Sequence, residues 1–421
     1  ALRTPAPLSL VQSYPQCKVQ LRNMSDEKVQ MEVDAKEEEA EEPQDTLLVL
    51  AEYRYKMQSP YFSTEEKNDA KAALMKIIQK NNMAPYYKYI CDLMNWSVDE
   101  KLCETMKAAN KAEMKKMEDE LEDAKKNRGE TEVRDAEVAI AKYFSTIGDK
   151  KIALEKLKEV LESSVGTGQK IDVVFVLIRL GMAFDDTQTV KSYVTMAKDL
   201  VEKGGDWERR NLLKVYEATF LVRIRDFKAA SKLFIESVAT FTCTAMYSYE
   251  TLVCYTVICS MISLDRISFR KQIVRSPEIL QVVQEMPNVE GLIQSLYNCK
   301  YSQLFKVLVN ISEMLRKDRY FAPHCGWWLR EMRIVTYSQF LRSYRSVTLS
   351  SMATTFGVGI EFLDKELSRF ISAGRLNCKI DAVNRVVETN RPDAKNSQYA
   401  EIISKGDALL SRIQKLSIEL T

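Results

Sequence analysis

A seven-residue phrase occurs twice in this chain at a fixed offset, and it constrains the fold more than any other feature. Ile147-Gly148-Asp149-Lys150-Lys151-Ile152-Ala153 returns 77 residues later as Ile224-Arg225-Asp226-Phe227-Lys228-Ala229-Ala230. The offset continues beyond the phrase, because Leu157 falls on Phe234 and Leu161 on Val238. A weaker copy lies between them, around Asp186 to Leu200, so the interval divides into two steps of roughly 38 residues. That is the length of one helical hairpin in a stacked array. The small Ala153 and Ala230 let the second helix of a hairpin pack closely. Stacked hairpins present a long surface to other proteins.

Composition supports helices throughout. The chain holds 13 Gly and 10 Pro in 421 residues, well below the usual shares of about 7% and 5%. Both residues interrupt helices. Charge is balanced, with 61 Lys plus Arg against 59 Asp plus Glu, which gives no general attraction for a polyanion. The nine cysteines form no CxxC pair, and they read as reduced thiols of a cytosolic or nuclear protein. No apolar run reaches the length of a membrane span.

Residues 1–23 carry three prolines and no helical period. Met24-Ser25-Asp26-Glu27 reads as a translation start, which makes the preceding residues an upstream extension. Glu32 to Glu42 is an acidic tract, expected to be a solvated tail or a tether for basic partners. Helical periodicity begins near Thr46 and is broken at Pro85. A long charged helix is expected over Val98 to Asn127. Its narrow seam of Leu102, Met106, Ala109, Met117, Leu121 and Ala124 suits either a packing surface or a solvated spacer. Tyr247 to Leu264 is nearly continuous in apolar residues and reads as a buried helix. Further helices are expected over Leu292–Leu315 and Trp327–Tyr344.

The grammar changes at Val347. Leu349, Met352, Ala353 and Phe356 mark a short amphipathic helix, and Phe356-Gly357-Val358 a tight turn. Ile360, Leu363, Leu367, Phe370 and Ile371 mark a second helix, with Gly374 placed as its C-cap. Leu376, Cys378 and Ile380 alternate like a half-buried strand, and Val386-Val387 supplies a second short strand. Two helices and a two-stranded wing spell a winged helix. DNA readout is disfavoured, because the second helix carries Glu361, Asp364 and Glu366 against Lys365 and Arg369, a net negative charge where phosphates demand a positive one. After Pro392 a last helix starts near Asn396-Ser397. It carries an apolar stripe of Ile402, Leu409, Ile413, Leu416 and Leu420, with Gly406 in the missing position. Such a stripe either folds back or joins other helices in a bundle, and the second reading is preferred.

Residues for chemistry are sparse. His324 is the single histidine, which excludes multi-histidine metal sites and makes a structural role the expected one. Its neighbour Cys325 is badly placed to act with it, because adjacent side chains rarely align as nucleophile and base. Gly166-Thr167-Gly168-Gln169-Lys170 lacks phosphate-loop spacing and reads as a turn. Gly204-Gly205-Asp206-Trp207-Glu208-Arg209-Arg210-Asn211 reads as an inter-repeat lock or a partner contact. No catalytic residue, cofactor or metal site is expected.

Helical hairpins closed by this winged helix resemble the PCI-domain family, shared by the proteasome lid, the COP9 signalosome and the translation initiation factor three complex. Asn81–Tyr87, Glu202–Asn211, Arg330–Arg333, Ser343–Leu349, Phe356–Val358 and Ile380–Asp393 are similar to the non-ATPase lid subunits of the 26S proteasome. Gly204–Trp207 and Glu388–Asp393 favour them over the signalosome paralogue. The resemblance runs from about Tyr53 to Ile418. With it, the expected fold is all-α: a right-handed superhelix of tetratricopeptide-like hairpins, then a winged-helix (PCI) module with a small β wing and a C-terminal helix, although the aromatic signature positions of such repeats are largely missing. The divisions expected are a disordered 1–45, N-terminal helices over 46–130, repeats over 131–345, the winged helix over 346–392 and a bundle helix over 393–421. The resemblance implies a structural subunit of the 19S regulatory particle, found in cytoplasm and nucleus. Partners would be other PCI lid subunits and the deubiquitinase-bearing subunits, with the base reached by assembly, and no membrane or nucleic acid. Contacts would run through the wing, around Leu376, Cys378 and Ile380, and through the terminal stripe. A signalosome or initiation-factor scaffold is the alternative, and a winged-helix nucleic-acid binder a weaker one.

Overall fold

The three copies of the repeat phrase are three copies of one helix-to-helix joint. In the computed structural model, which describes residues 44–127, 129–164, 166–390 and 394–420, each copy ends a helix in the left-handed conformation. Gly148, Asp185 and Arg225 hold φ of 81°, 60° and 73°. The residue after each is an aspartate that starts the next helix. Asp149 accepts from the Ile152 amide at 3.3 Å, Asp186 from Thr189 at 3.2 Å and Asp226 from Ala229 at 3.1 Å. Each aspartate amide also donates back, to the carbonyls of Phe144, Gly181 and Leu221, completing a Schellman closure. Only the first copy needs glycine. A Cβ on Gly148 would lie 2.7 Å from Tyr86 Cβ, whereas Asp185 and Arg225 bear the modest cost of a left-handed side chain.

These joints link α5 (Glu130–Ile147) to α6 (Lys150–Ser163), α7 (Thr167–Ala183) to α8 (Thr187–Gly204), and α9 (Trp207–Ile224) to α10 (Phe227–Val238). The position four residues beyond each aspartate is buried in all three: Ala153, Val190 and Ala230. In the middle hairpin the close approach falls to Gly181, where a Cβ would meet Val190 at 2.8 Å. The apolar run at Tyr247–Leu264 forms α11 (Tyr249–Ser263), buried from Leu252 through Met261. Then come α12 (Arg266–Phe269), one π turn (Arg270–Val274), α13 (Pro277–Val283), α14 (Pro287–Tyr297), α15 (Tyr301–Lys317) and α16 (Cys325–Leu341).

Four helices precede the repeats: α1 (Thr46–Gln58), α2 (Thr64–Lys80), α3 (Ala84–Met94) and α4 (Glu100–Asn127). Pro85 lies in the first turn of α3, where a missing amide costs nothing. The seam of α4 is used within the chain. Met106 and Ala124 are buried, and Tyr143 of α5 donates to Glu113 at 2.6 Å. Helix α1 is tied to distant parts of the chain. Asp45 pairs with Arg179 at 3.1 Å, and its amide donates to the Ala245 carbonyl at 3.0 Å. Tyr55 donates to the Arg316 carbonyl at 2.8 Å. Arg54 reaches Asp185, which also binds Arg319 at 2.7 Å and Arg223 at 2.9 Å. One carboxylate at a repeat joint thus gathers guanidiniums from three separate segments.

The C-terminal module contains β1 (Ser346–Thr348), α17 (Leu349–Phe356), α18 (Ile360–Ser372), β2 (Cys378–Asp381) and β3 (Val386–Thr389). The sheet has three antiparallel strands in the order β1-β3-β2, with Val387 facing both Val347 and Ile380. The expected two-stranded wing therefore gains a strand, whose three residues are too few to show alternation. Helix α19 (Ala394–Leu420) follows the sheet. The start at Met24, the acidic tract and the expected disorder of 1–45 lie outside the described residues, apart from Gln44 and Asp45.

Candidate functional site

The winged module is seated on the last hairpin by aromatic packing. Phe356, at the end of α17, is 4.9 Å from the Tyr301 ring, 5.1 Å from Tyr337, 5.3 Å from Phe340 and 5.5 Å from Phe305. It is among the largest fully buried side chains. The turn after it requires Gly357, whose φ is 69° and whose Cβ would come within 3.1 Å of Ser302 Oγ. Polar bonds reinforce the seat. Tyr337 donates to Glu366 at 2.7 Å, Arg333 pairs with the same carboxylate at 2.7 Å, and Glu331 pairs with Arg375. Burial pushes the Tyr337 phenol well above its ordinary range, and Glu366 adds to the shift.

Leu376 and Cys378 are core side chains of this module, only 5% and 4% exposed, and Ile380 is half-buried. They lie on the packed side of β2, whose outer backbone edge pairs with no described strand. Beside α18, a cleft of about 560 Å³ collects Arg330, Arg333, Lys365, Arg369 and Arg375. Counting charges on α18 alone misses the three arginines that α16 and the turn before β2 bring to it, of which Arg333 and Arg375 are paired with Glu366 and Glu331 of the same cleft.

Helix α19 is a different surface. It runs for 27 residues, about 40 Å. Every described side chain from Gln398 to Glu419 is exposed. Ile402 is 64% exposed, Leu409 60%, Ile413 54% and Leu416 58%. The Leu420 side chain lies outside the described residues. Tyr399, three residues before Ile402, and Ile403 and Leu410, each directly after a stripe residue, are also exposed and widen the stripe. The sequence reading missed them because it followed one residue per turn.

The Gly204–Asn211 segment divides into two parts. Arg209 grips Asp172 of α7 with two bonds of 2.8 Å and also reaches Asp206, which makes it a lock between repeats. Trp207 stands outside that lock at 63% exposure. His324 places Nε2 3.0 Å from the Arg223 carbonyl and its ring edge-on to Phe227, while the buried Cys325 thiol is directed to the Ser312 carbonyl. Among the described residues no group of three His, Cys, Asp or Glu is disposed to hold a metal, and no helix is long and apolar enough to cross a membrane. The described cysteines are thiols, all buried except Cys299.

Helical hairpins sealed onto a three-stranded winged helix define a PCI-type scaffold, and residues 300–391 match the PCI domain. Residues 99–272 match the family described as 26S proteasome subunit RPN7, and residues 398–417 match the C-terminal helix described for 26S proteasome regulatory subunit RPN7/PSMD6. The chain is 45% identical over 378 residues to the 26S proteasome non-ATPase regulatory subunit 6 homolog of Arabidopsis thaliana, covering 90% of this chain and 98% of that one. It is 44% identical to the subunit 6 of Dictyostelium discoideum, covering 82% and 90%, and 35% identical to regulatory subunit RPN7 of Saccharomyces cerevisiae, covering 84% and 88%. The chain belongs to the family of 26S proteasome non-ATPase regulatory subunit 6, also called RPN7.

Proposed function

We propose that this chain is a non-catalytic structural subunit in the lid of the 19S regulatory particle, supporting ubiquitin-dependent degradation by holding other subunits in place. The observation that carries this reading is α19. A folded array rarely leaves so much apolar side chain in water along one helix unless other chains cover it. The match of residues 398–417 to the family's C-terminal helix supports the same view. The array over 131–345 serves as an arm, the module over 346–392 as an edge contact through β2, and α19 as one member of an intermolecular bundle. Partners on this reading are other PCI subunits and the deubiquitinase-bearing subunits, in cytoplasm and nucleus.

Affinity purification of the tagged chain tests it. Proteasome ATPases and core subunits are expected in the eluate. Signalosome or initiation-factor subunits in their place would overturn the assignment.

A further inference from the structure

A groove of about 1000 Å³ opens between α3, α4 and the α5–α6 joint. Its floor is apolar, with Pro85, Met114, Phe144, Ile147 and Ile152 among the lining residues. Ile152 is 39% exposed. The rim is cationic. Lys107, Lys111 and Lys115 follow one another at intervals of four along α4, and Lys88 faces them from α3. Like charges at that interval repel, and none of the four lysines forms an ion pair with a described residue. The Lys88 and Lys107 ammonium groups lie close enough that Lys88 pushes Lys107 below its ordinary pKa. The lining carboxylates are Glu118 and Asp149, and Asp149 is engaged in capping α6.

We propose that this groove docks an acidic amphipathic helix of a partner protein. The lysine row spans two helical turns, about 12 Å, so glutamates at i, i+4 and i+8 of an aligned helix meet it in register. The apolar face of the same helix then covers Ile152 and Phe144. A polyphosphate would use the lysines and leave the apolar floor wet, so nucleic acid fits less well.

The test is fluorescence anisotropy of the full chain with an 18-residue probe carrying leucines at i, i+3, i+4 and i+7 and glutamates on both flanks. The control has lysine in place of every glutamate. Binding of the acidic probe alone is expected, weakened at least tenfold by K88E/K107E and, separately, by K111E/K115E. Circular dichroism confirms that these exposed substitutions leave the helices in place. Equal binding of both probes, or affinity untouched by either pair, overturns the proposal. So does absence of binding together with a cross-link from Lys107 to the chain's own Glu37–Glu42, which would make the occupant internal.

Discussion

The Tyr337 hydroxyl donates to Oε2 of Glu366 across 2.7 Å, joining the last repeat helix to the second helix of the winged module. Both residues are buried, and Arg333 holds the other carboxylate oxygen. Tyr337→Phe keeps the ring packing and removes one bond to a charged acceptor. It should lower stability by about 1.5–3 kcal/mol, read from the midpoint of urea unfolding. An unchanged midpoint would mean that the bond does not stabilise the seat.

Phe356 supplies packing where Tyr337 supplies polarity. Phe356→Ala removes a ring that touches four others, and such a truncation costs about 3–5 kcal/mol. The expected readout is early protease cleavage near residues 342–349, with the repeats still protected. Gly357→Ala strains a left-handed turn and should cost about 1 kcal/mol.

The middle repeat joint carries a pH signature. The Lys150 hydrogen bond, with those from Thr189, holds Asp186 down to about 2 from an ordinary 3.8. A carboxyl with a depressed native pKa adds stability above its unfolded value and loses it as pH falls through the native one. Asp186→Asn keeps the helix cap and deletes the charge. The wild type should therefore unfold at higher temperature than the variant at pH 7, and the gap should close between about pH 4 and pH 2. A gap constant across that range would contradict the assignment.

Arg209 and Trp207 should separate cleanly. Arg209→Lys cannot reproduce the two-bond grip on Asp172 and is expected to cost about 1 kcal/mol or less, measured by thermal unfolding. Trp207→Ala should leave the isolated chain's stability unchanged.

Local order was legible where it repeats in sequence. Ile147–Ala153 and Ile224–Ala230 announced the joints because the same closure and cap recur at a fixed step, and Gly357 and Gly374 marked turns that only glycine adopts without strain. Convergence was not legible. Arg54, Arg223 and Arg319 meet on Asp185 from segments far apart in the chain, and Lys88 meets Lys107 across two helices. Strand β1 was too short to show a period. Leu376 and Cys378 alternate as a strand should, but alternation alone does not say which side faces a partner.

The scaffold role proposed for this chain requires α19 to act between chains. The direct measurement is reconstitution of the regulatory particle with L409D/I413D, compared with wild type. Both positions are exposed in the isolated chain, so its circular dichroism and thermal midpoint should not change. The variant should fail to enter the assembled particle, since two apolar contacts, each contributing about 1.5–3 kcal/mol when buried, are replaced by charges. Incorporation equal to wild type would show that α19 is not the contact that holds this subunit in place.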